Sequence, residues 1–280
     1  MSLAMFTWAI AWTNAHIIKD IKYSISSYNL VFLRFAICVV ALCPFINYKK
    51  VYQILSPINL IYIISTGILF LIYNVCFFKG TAIVAGEGAI LVTTINPIIT
   101  VIIISLIKRT INIKEMVGIV LGVFGGLIIM DVFNFGILNI INNNKYFYFI
   151  ICAITWGLVT VLTSYAQQKI EPMIFIFFCY VVVMILSYPL SNLSTINLFK
   201  LDIVFYLNFF LVSIGAMAIG TSIYMYSTSI IGPVKASAFI FTVPFLAATI
   251  AFLVLNEQIT SNMVIGGILS LLGVYIVNKQ

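Results

Sequence analysis

The stretch that decides the fold lies between residues 86 and 107 and reads GEGAILVTTINPIITVIIISLI. It contains one charged side chain, Glu87, in an otherwise largely apolar run. The hydrocarbon core of a bilayer is about 30 Å thick, and a helix of about 20 such residues crosses it. The chain as a whole is 63% hydrophobic and only 8% charged, whereas a soluble domain is about one quarter charged. The sequence therefore excludes a soluble globular protein and predicts an all-α membrane protein.

Charges, Asn clusters, Pro and Gly divide the chain into ten apolar segments, which we interpret as ten transmembrane helices. The first is short for a span, but it lacks the basic region and the cleavage site of a signal peptide. The connections between segments leave no room for a domain outside the membrane. The segments run approximately Leu3–Ile18, Asn29–Ile46, Ile58–Phe78, Gly86–Ile107, Ile113–Met130, Phe147–Tyr165, Met173–Leu190, Ile203–Tyr226, Pro233–Leu255 and Met263–Val277.

Lysine and arginine in the short connections predict the orientation, because these residues are enriched on the cytoplasmic side. With the amino terminus inside, the larger set is cytoplasmic, so both termini are predicted to be cytoplasmic. The enrichment in Ile, Asn and Lys suggests an AT-rich bacterial genome, and hence the inner membrane of a bacterium. The cytoplasmic set is Lys49, Lys50, Lys108, Arg109, Lys114, Lys169, Lys235 and Lys279, against Lys19, Lys22, Lys79, Lys145 and Lys200 outside.

The two halves of the chain, residues 1–131 and 145–280, read as copies of one five-helix repeat. An offset of 147 positions places Pro97 on Pro244, and an offset of 148 places Gly118 on Gly266. Because five is an odd number of helices, the second copy must enter the membrane from the opposite side. The sequence therefore predicts two inverted repeats, which in transporters place the substrate site near the midplane and permit alternating access.

Several short motifs follow one another along the chain: Trp12, Leu33-Arg34-Phe35, Gly86-Glu87-Gly88-Ala89 to Asn96-Pro97, Lys235-Ala236-Ser237-Ala238 to Val243-Pro244, Asn256-Glu257-Gln258-Ile259-Thr260, and the glycine-spaced helices five and ten. In this order they resemble the motifs of the ten-helix EamA-type transporters of the drug/metabolite transporter superfamily. The resemblance covers essentially the whole chain and implies a carrier of small metabolites in the cytoplasmic membrane, with a central cavity lined by helices other than the fifth and tenth. Many such relatives export amino acids or other metabolites, and some take up compounds such as S-adenosylmethionine.

Polar residues on the faces of helices one and six are the first candidates for substrate binding. Trp12, His16 and Lys19 share one face of helix one, and Trp156 and Thr160 share one face of helix six. Polar groups facing lipid would have no partners, so both faces are expected to meet at a wet cavity. The alternative for Lys19 is a side chain that snorkels to the membrane surface. The alternative for His16 is a structural role.

Further candidates lie on the other helices. Thr93 and Asn96 flank Pro97, although Thr side chains also bond back to their own helix. Asn74 needs a partner in an apolar run, and Tyr224 is placed near the position equivalent to Tyr73. A cationic side chain at Lys79 or Lys235 would suit a substrate carboxylate, and Arg34 either snorkels or forms an inward salt bridge.

The sequence favours a carrier over other classes of protein. A single histidine, dispersed carboxylates and the lack of nucleotide-binding or hydrolase motifs argue against an enzyme, so no catalytic residue, metal ligand or cofactor is predicted. The basic residues are too scattered for a nucleic-acid site. The predicted partners are the bilayer and a small solute, an amino acid or, alternatively, a nucleoside-like compound. The protein is predicted to be a monomer or weak homodimer, and a subunit that transports nothing is the remaining alternative.

Overall fold

A computed structural model describes residues 1–20, 22–83, 86–109, 112–129, 146–196, 201–255 and 260–279, with the side chains of 86, 87, 248 and 251–255 excepted. Within these ranges the chain is helical, with no strand. Some sequence predictions fall outside the described residues. These are the end of the fifth span at Met130, the boundary between the two repeats, Lys145, Lys200 and the Glu257 motif.

The helices of the first half follow the predicted segments closely. The bounds are α1 Ser2–Ile18, α2 Ser27–Leu42, α3 Pro57–Thr81, α4 Gly86–Lys108 and α5 Ile113–Ile129. Short 3₁₀ turns, Cys43–Phe45 and Tyr48–Leu55, connect α2 to α3. Ser26 caps α2 by accepting a hydrogen bond from the Asn29 N–H, which satisfies one of the free donors at a helix start.

The second half contains α6 Phe147–Ala166, α7 Pro172–Ser187, α8 Ile203–Ile231 and α10 Ser261–Asn278. Between α8 and α10, three consecutive pieces, Pro233–Ala238, Phe239–Phe241 and Thr242–Leu255, together form α9. Gly232 has φ of +85°, a conformation that glycine adopts readily, and it separates α8 from α9. The middle of α8, Leu211–Thr221, is wound as a π-helix.

Seven segments among the described residues are long and apolar enough to cross a bilayer. Helices α1 and α5 have 17 residues each and fall just short of that length. Large apolar side chains such as Val40, Leu106 and Ile113 are exposed on the outside of the bundle, as expected for a surface that faces lipid.

Helices α5 and α10 pack against each other in antiparallel fashion, and glycines set their distance. A Cβ atom added to Gly118 would lie 2.7 Å from the carbonyl oxygen of Gly273, and one added to Gly125 would lie 2.5 Å from that of Gly266. Small residues at these positions therefore allow the two helices to approach closely. The other helices pack mainly as α3 and α4 on α6, α1 on α8, and α2 on α7.

The cysteines are free thiols. Cys38, Cys76, Cys152 and Cys179 are buried, as is usual for cysteines that act as small core residues. Cys43 differs, because it lies in the turn after α2 and is exposed.

Candidate functional site

A cavity lies in the middle of the bundle, enclosed by helices from both halves of the chain. Its volume is about 40 Å³, room for roughly two or three water molecules. Helices α5 and α10 take no part in it. The lining residues are Trp8, Ala11, Trp12, Arg34, Tyr73, Phe77, Val92, Thr93, Asn96, Trp156, Ala216, Met217, Thr221, Ile240 and Val243.

Five of the fifteen lining residues are aromatic. The ring centroids of Trp8 and Trp156 are 5.0 Å apart in an edge-to-face arrangement, and those of Trp12 and Phe77 are 4.9 Å apart. Tyr73 contacts Trp156 with a centroid distance of 4.7 Å. Aromatic rings offer a large apolar surface and negative faces, so this wall suits a planar or apolar solute.

Arg34 is the cation of the cavity, and it is 3% exposed. Its Nη1 donates to Asn74 Oδ1 at 2.6 Å and its Nη2 donates to the carbonyl oxygen of Val212 at 2.9 Å. Its Nε has no hydrogen-bond partner in the described part of the chain. A buried arginine that is held only by neutral groups is costly in a membrane protein, which makes Arg34 a candidate functional residue.

Asn96 adds a second polar group to the cavity. Its side chain is fully buried, and neither Oδ1 nor Nδ2 has a hydrogen-bond partner among the described residues. Pro97 follows it within α4 and lacks an N–H, so the carbonyl group of Thr93 loses its usual helical donor. These groups need water or a solute to satisfy them.

The structure brings seven of the predicted site residues to the cavity or next to it. Trp12, Thr93, Asn96 and Trp156 line it directly, and Asn74 reaches it through Arg34. Thr93 donates its hydroxyl hydrogen back to its own helix, at the carbonyl oxygen of Ala89. Behind the Trp156 ring, the hydroxyl groups of Thr160 and Tyr224 are hydrogen-bonded at 3.0 Å.

The other four predicted residues lie elsewhere. His16, Lys19 and Lys79 are at the end of the bundle where α1 and α3 finish, bonded respectively to the Thr81 carbonyl, the Ile25 carbonyl and the Tyr28 hydroxyl. Lys235 is at the opposite end, in a separate pocket of about 280 Å³ that also contains Lys108 and Glu115. These four residues therefore do not lie with the other predicted site residues at the central cavity.

Two of the cavity residues that were not among the predicted site residues are Trp8 and Arg34. Trp8 could equally have been an interfacial residue, but its Nε1 donates to the carbonyl oxygen of Ala216 at 3.1 Å and its ring faces inward. Arg34 was considered as snorkelling or salt-bridged. It points inward, but its partners are an amide and a carbonyl group. The signal that identifies it is a lone charge inside an apolar run.

Each end of the bundle is tied by one ion pair between the two halves. At one end, which we call the Lys22 end, Lys22 Nζ lies 3.3 Å from Asp202 Oδ2, and the Tyr23 hydroxyl donates to Asp202 Oδ1 at 2.6 Å. At the other, the Lys50 end, Lys50 Nζ lies 3.0 Å from Glu171 Oε2. These are the ion pairs found among the described residues.

Comparison with known proteins agrees with this geometry. The profile of the EamA-like transporter family matches residues 1–131 and again residues 143–279. A crystal structure described only as "Crystal structure of protein" has a TM-score of 0.74 and 15% sequence identity, with 98% of this chain and 94% of that chain covered. No curated protein matches the chain.

The apolar helices are those of a multi-pass membrane protein, and the family match makes it a membrane transporter. The chain belongs to the EamA-like transporter family, within the drug/metabolite transporter superfamily, and its family members are transporters rather than enzymes.

Proposed function

We propose that this protein is a secondary transporter that moves a small organic metabolite, an amino acid or a similar compound, through the central cavity by alternating access. In this proposal ten helices cross the membrane as two inverted repeats, residues 1–131 and 145–280. The observation that carries it is the enclosed cavity with unpartnered polar groups, Arg34 Nε and the Asn96 amide, at the junction of the two halves. Transporters built from inverted repeats bind their substrate at the interface between the repeats.

Inverted symmetry is supported by the contacts between α5 and α10. The repeat makes Gly118 equivalent to Gly266 and Gly125 equivalent to Gly273. The repeat therefore relates the close contact of Gly118 with Gly273 to the contact of Gly266 with Gly125. In each contact, a Cβ atom added to either glycine would lie 2.5 to 2.7 Å from the carbonyl oxygen of the other. A two-fold axis between antiparallel helices produces such reciprocal contacts. Trp12 and Trp156, equivalent positions of α1 and α6, likewise both line the cavity.

The two ion pairs support alternating access. Lys22 lies in the connection between α1 and α2. The equivalent connection in the second repeat joins α6 to α7 and contains Glu171. Asp202 lies before α8, and its counterpart is the connection of α2 to α3, where Lys50 lies. The two pairs are therefore symmetry mates with their charges exchanged. Both are formed here around a cavity of about 40 Å³, and we interpret release of either pair as opening that end of the bundle.

Orientation and assembly follow from the same arrangement. The majority of the basic residues favours a cytoplasmic location for the Lys50 end and for both termini, in a bacterial inner membrane. The glycines of α5 and α10 are used in contact with each other within one chain. We therefore favour a monomer over a homodimer built on these helices.

Proteoliposome counterflow tests the proposed function. Vesicles preloaded with unlabelled amino acids and the corresponding acids without the amino group, or with nucleosides and S-adenosylmethionine as the alternative suited to stacking on Trp rings, are mixed with the labelled compounds. We expect accumulation that Trp12→Ala and Trp156→Ala each reduce at least about tenfold, since a tenfold change corresponds to a modest loss of binding energy. Phe124→Ala, which removes an exposed ring on α5, is the control and retains flux. Accumulation no greater than in empty vesicles for every compound would contradict the proposal.

A further inference from the structure

The charge of Arg34 has no anionic partner among the described residues. The described carboxylates, Asp20, Glu115, Glu171 and Asp202, lie in the connections or at the helix ends, and two of them form the ion pairs of the bundle ends. Arg34 by contrast is buried between α3 and α8, with an amide and a carbonyl group as its hydrogen-bond acceptors. A buried cation is stable when a counter-charge reaches it, so the cavity is suited to receive an anion.

The guanidinium group keeps the means to bind that anion. Arginine has five N–H donors in a fixed plane, and two of them are used by Asn74 and Val212. The Nε–H is free, and each Nη atom retains a second hydrogen. A guanidinium edge with Nε and one Nη matches the two oxygens of a carboxylate, which is the strongest pairing available to arginine.

The residues around Arg34 indicate what the rest of the ligand is like. Trp8, Trp12 and Trp156 provide aromatic faces, and Asn96 provides one donor and one acceptor without partners. The described lining contains no acidic side chain to pair with an ammonium group. A ligand with one carboxylate and an uncharged, planar or apolar body neutralises the site, whereas a zwitterion leaves the positive charge of the cavity uncompensated.

We propose that the transported metabolite is an organic monocarboxylate, net anionic, whose carboxylate binds the Arg34 guanidinium group while its body lies among the three tryptophan rings. This inference rests on the proposed function: within the small organic metabolites proposed there, it selects acids without a charged amino group and rejects zwitterionic amino acids. Asn96 binds a hydroxyl or carbonyl group of the same ligand.

Tryptophan fluorescence measures binding at this site directly, because the chain has three tryptophans and all of them line the cavity. The purified protein is titrated with 3-phenylpropionate, phenylalanine and phenethylamine, which share one ring and differ in charge. We expect the carboxylate to bind at least about tenfold more tightly than either amine-bearing compound, since only it pairs with Arg34 without placing a second cation in the cavity. Equal binding of phenylalanine and 3-phenylpropionate, or tighter binding of phenethylamine, would overturn the inference.

The variant Asn74→Asp tests the role of Arg34 without removing it. The new carboxylate stands where the Asn74 oxygen now lies, 2.6 Å from Nη1, and supplies the missing counter-charge from within the protein. We expect 3-phenylpropionate binding to fall at least about tenfold while the melting temperature is unchanged or higher. Asn278→Asp is the matched control, because Asn278 makes the same bond to the carbonyl four residues before it but lies at the end of α10.

The outcomes separate this inference from the proposed function. If Asn74→Asp binds 3-phenylpropionate as the wild type does, Arg34 is not the anion site and the inference fails, whatever the counterflow result. Arg34-dependent binding without counterflow of any monocarboxylate would leave the site in place but contradict transport.

Discussion

At the scale of single residues, the cavity depends on polar side chains whose partners come from distant parts of the chain. The sequence shows that Arg34 is costly in an apolar helix, but its acceptors lie on α3 and α8, and only packing brings them within reach. Asn74 was identified for the right physical reason, since a buried amide needs a partner. That its partner is Arg34 could not be predicted from spacing alone.

Replacing Asn74 or Asn96 by leucine is expected to change the free energy of unfolding in opposite directions. Asn96→Leu removes two unpartnered buried polar atoms, so we expect the free energy of unfolding to rise by about 1 kcal/mol while counterflow is lost. Asn74→Leu removes the acceptor of a buried guanidinium group, so we expect the free energy of unfolding to fall by about 2 to 3 kcal/mol. SDS titration in mixed micelles measures both. A loss of stability in Asn96→Leu equal to that in Asn74→Leu would contradict the account.

The ion pair of Asp202 at the Lys22 end is expected to make the stability of the protein depend on pH. Hydrogen bonds from the Tyr23 hydroxyl and the Phe205 N–H, together with Lys22, lower the pKa of the Asp202 carboxyl group. A carboxyl group with a lowered pKa in the folded protein stabilises it above its ordinary pKa of about 3.9, and that contribution is lost as the pH falls further through the folded value. We expect the melting temperature of the wild type to fall more steeply below about pH 4 than that of Asp202→Asn. Parallel curves for the two proteins would contradict this role.

At the scale of helices, α8 shows what a sequence pattern leaves out. Its apolar length predicts a helix, but not the π winding of Leu211–Thr221. The carbonyl oxygens of Val212, Ser213, Ala216 and Met217 accept hydrogen bonds from Arg34, Cys38, Trp8 and Tyr180, respectively. Side chains of three other helices thus bond to the backbone of this segment, and π-helical turns are common at functional sites.

Two glycines, Gly125 and Gly215, allow a test of helix packing, because an added Cβ would meet backbone at the first and open space at the second. Gly125→Ala places a Cβ atom 2.5 Å from the Gly266 carbonyl oxygen and must separate α5 from α10, so we expect a loss of about 1 to 3 kcal/mol in the free energy of unfolding. Gly215, in α8, has no atom within 4 Å of an added Cβ. Gly215→Ala is therefore expected to leave stability unchanged or raise it by up to about 1 kcal/mol. Equal effects, measured by the same SDS titration, would show that the α5–α10 distance is not critical.

At the scale of the whole molecule, the hydrophobic runs of the sequence predicted the helices best. The helix bounds follow the apolar segments to within a few residues, and the family profile matches each half of the chain. The grouping of the cations was harder to predict. His16, Lys19 and Lys79 share helix faces or motifs with cavity residues, yet they lie at the end of the bundle, because helical periodicity gives a direction around the axis and only approximate depth.

The measurement that tests alternating access most directly is the accessibility of a single cysteine in the cavity. In a variant without the native cysteines, Thr93→Cys is treated with a membrane-impermeant thiol reagent from either face of oriented vesicles. We predict reaction from both faces, because each end opens in turn. Crosslinking Lys22→Cys to Asp202→Cys with a bismaleimide before Thr93→Cys is exposed to the reagent should leave reaction from the Lys50 end alone. Reaction from one face only in the protein without the crosslink would contradict the account.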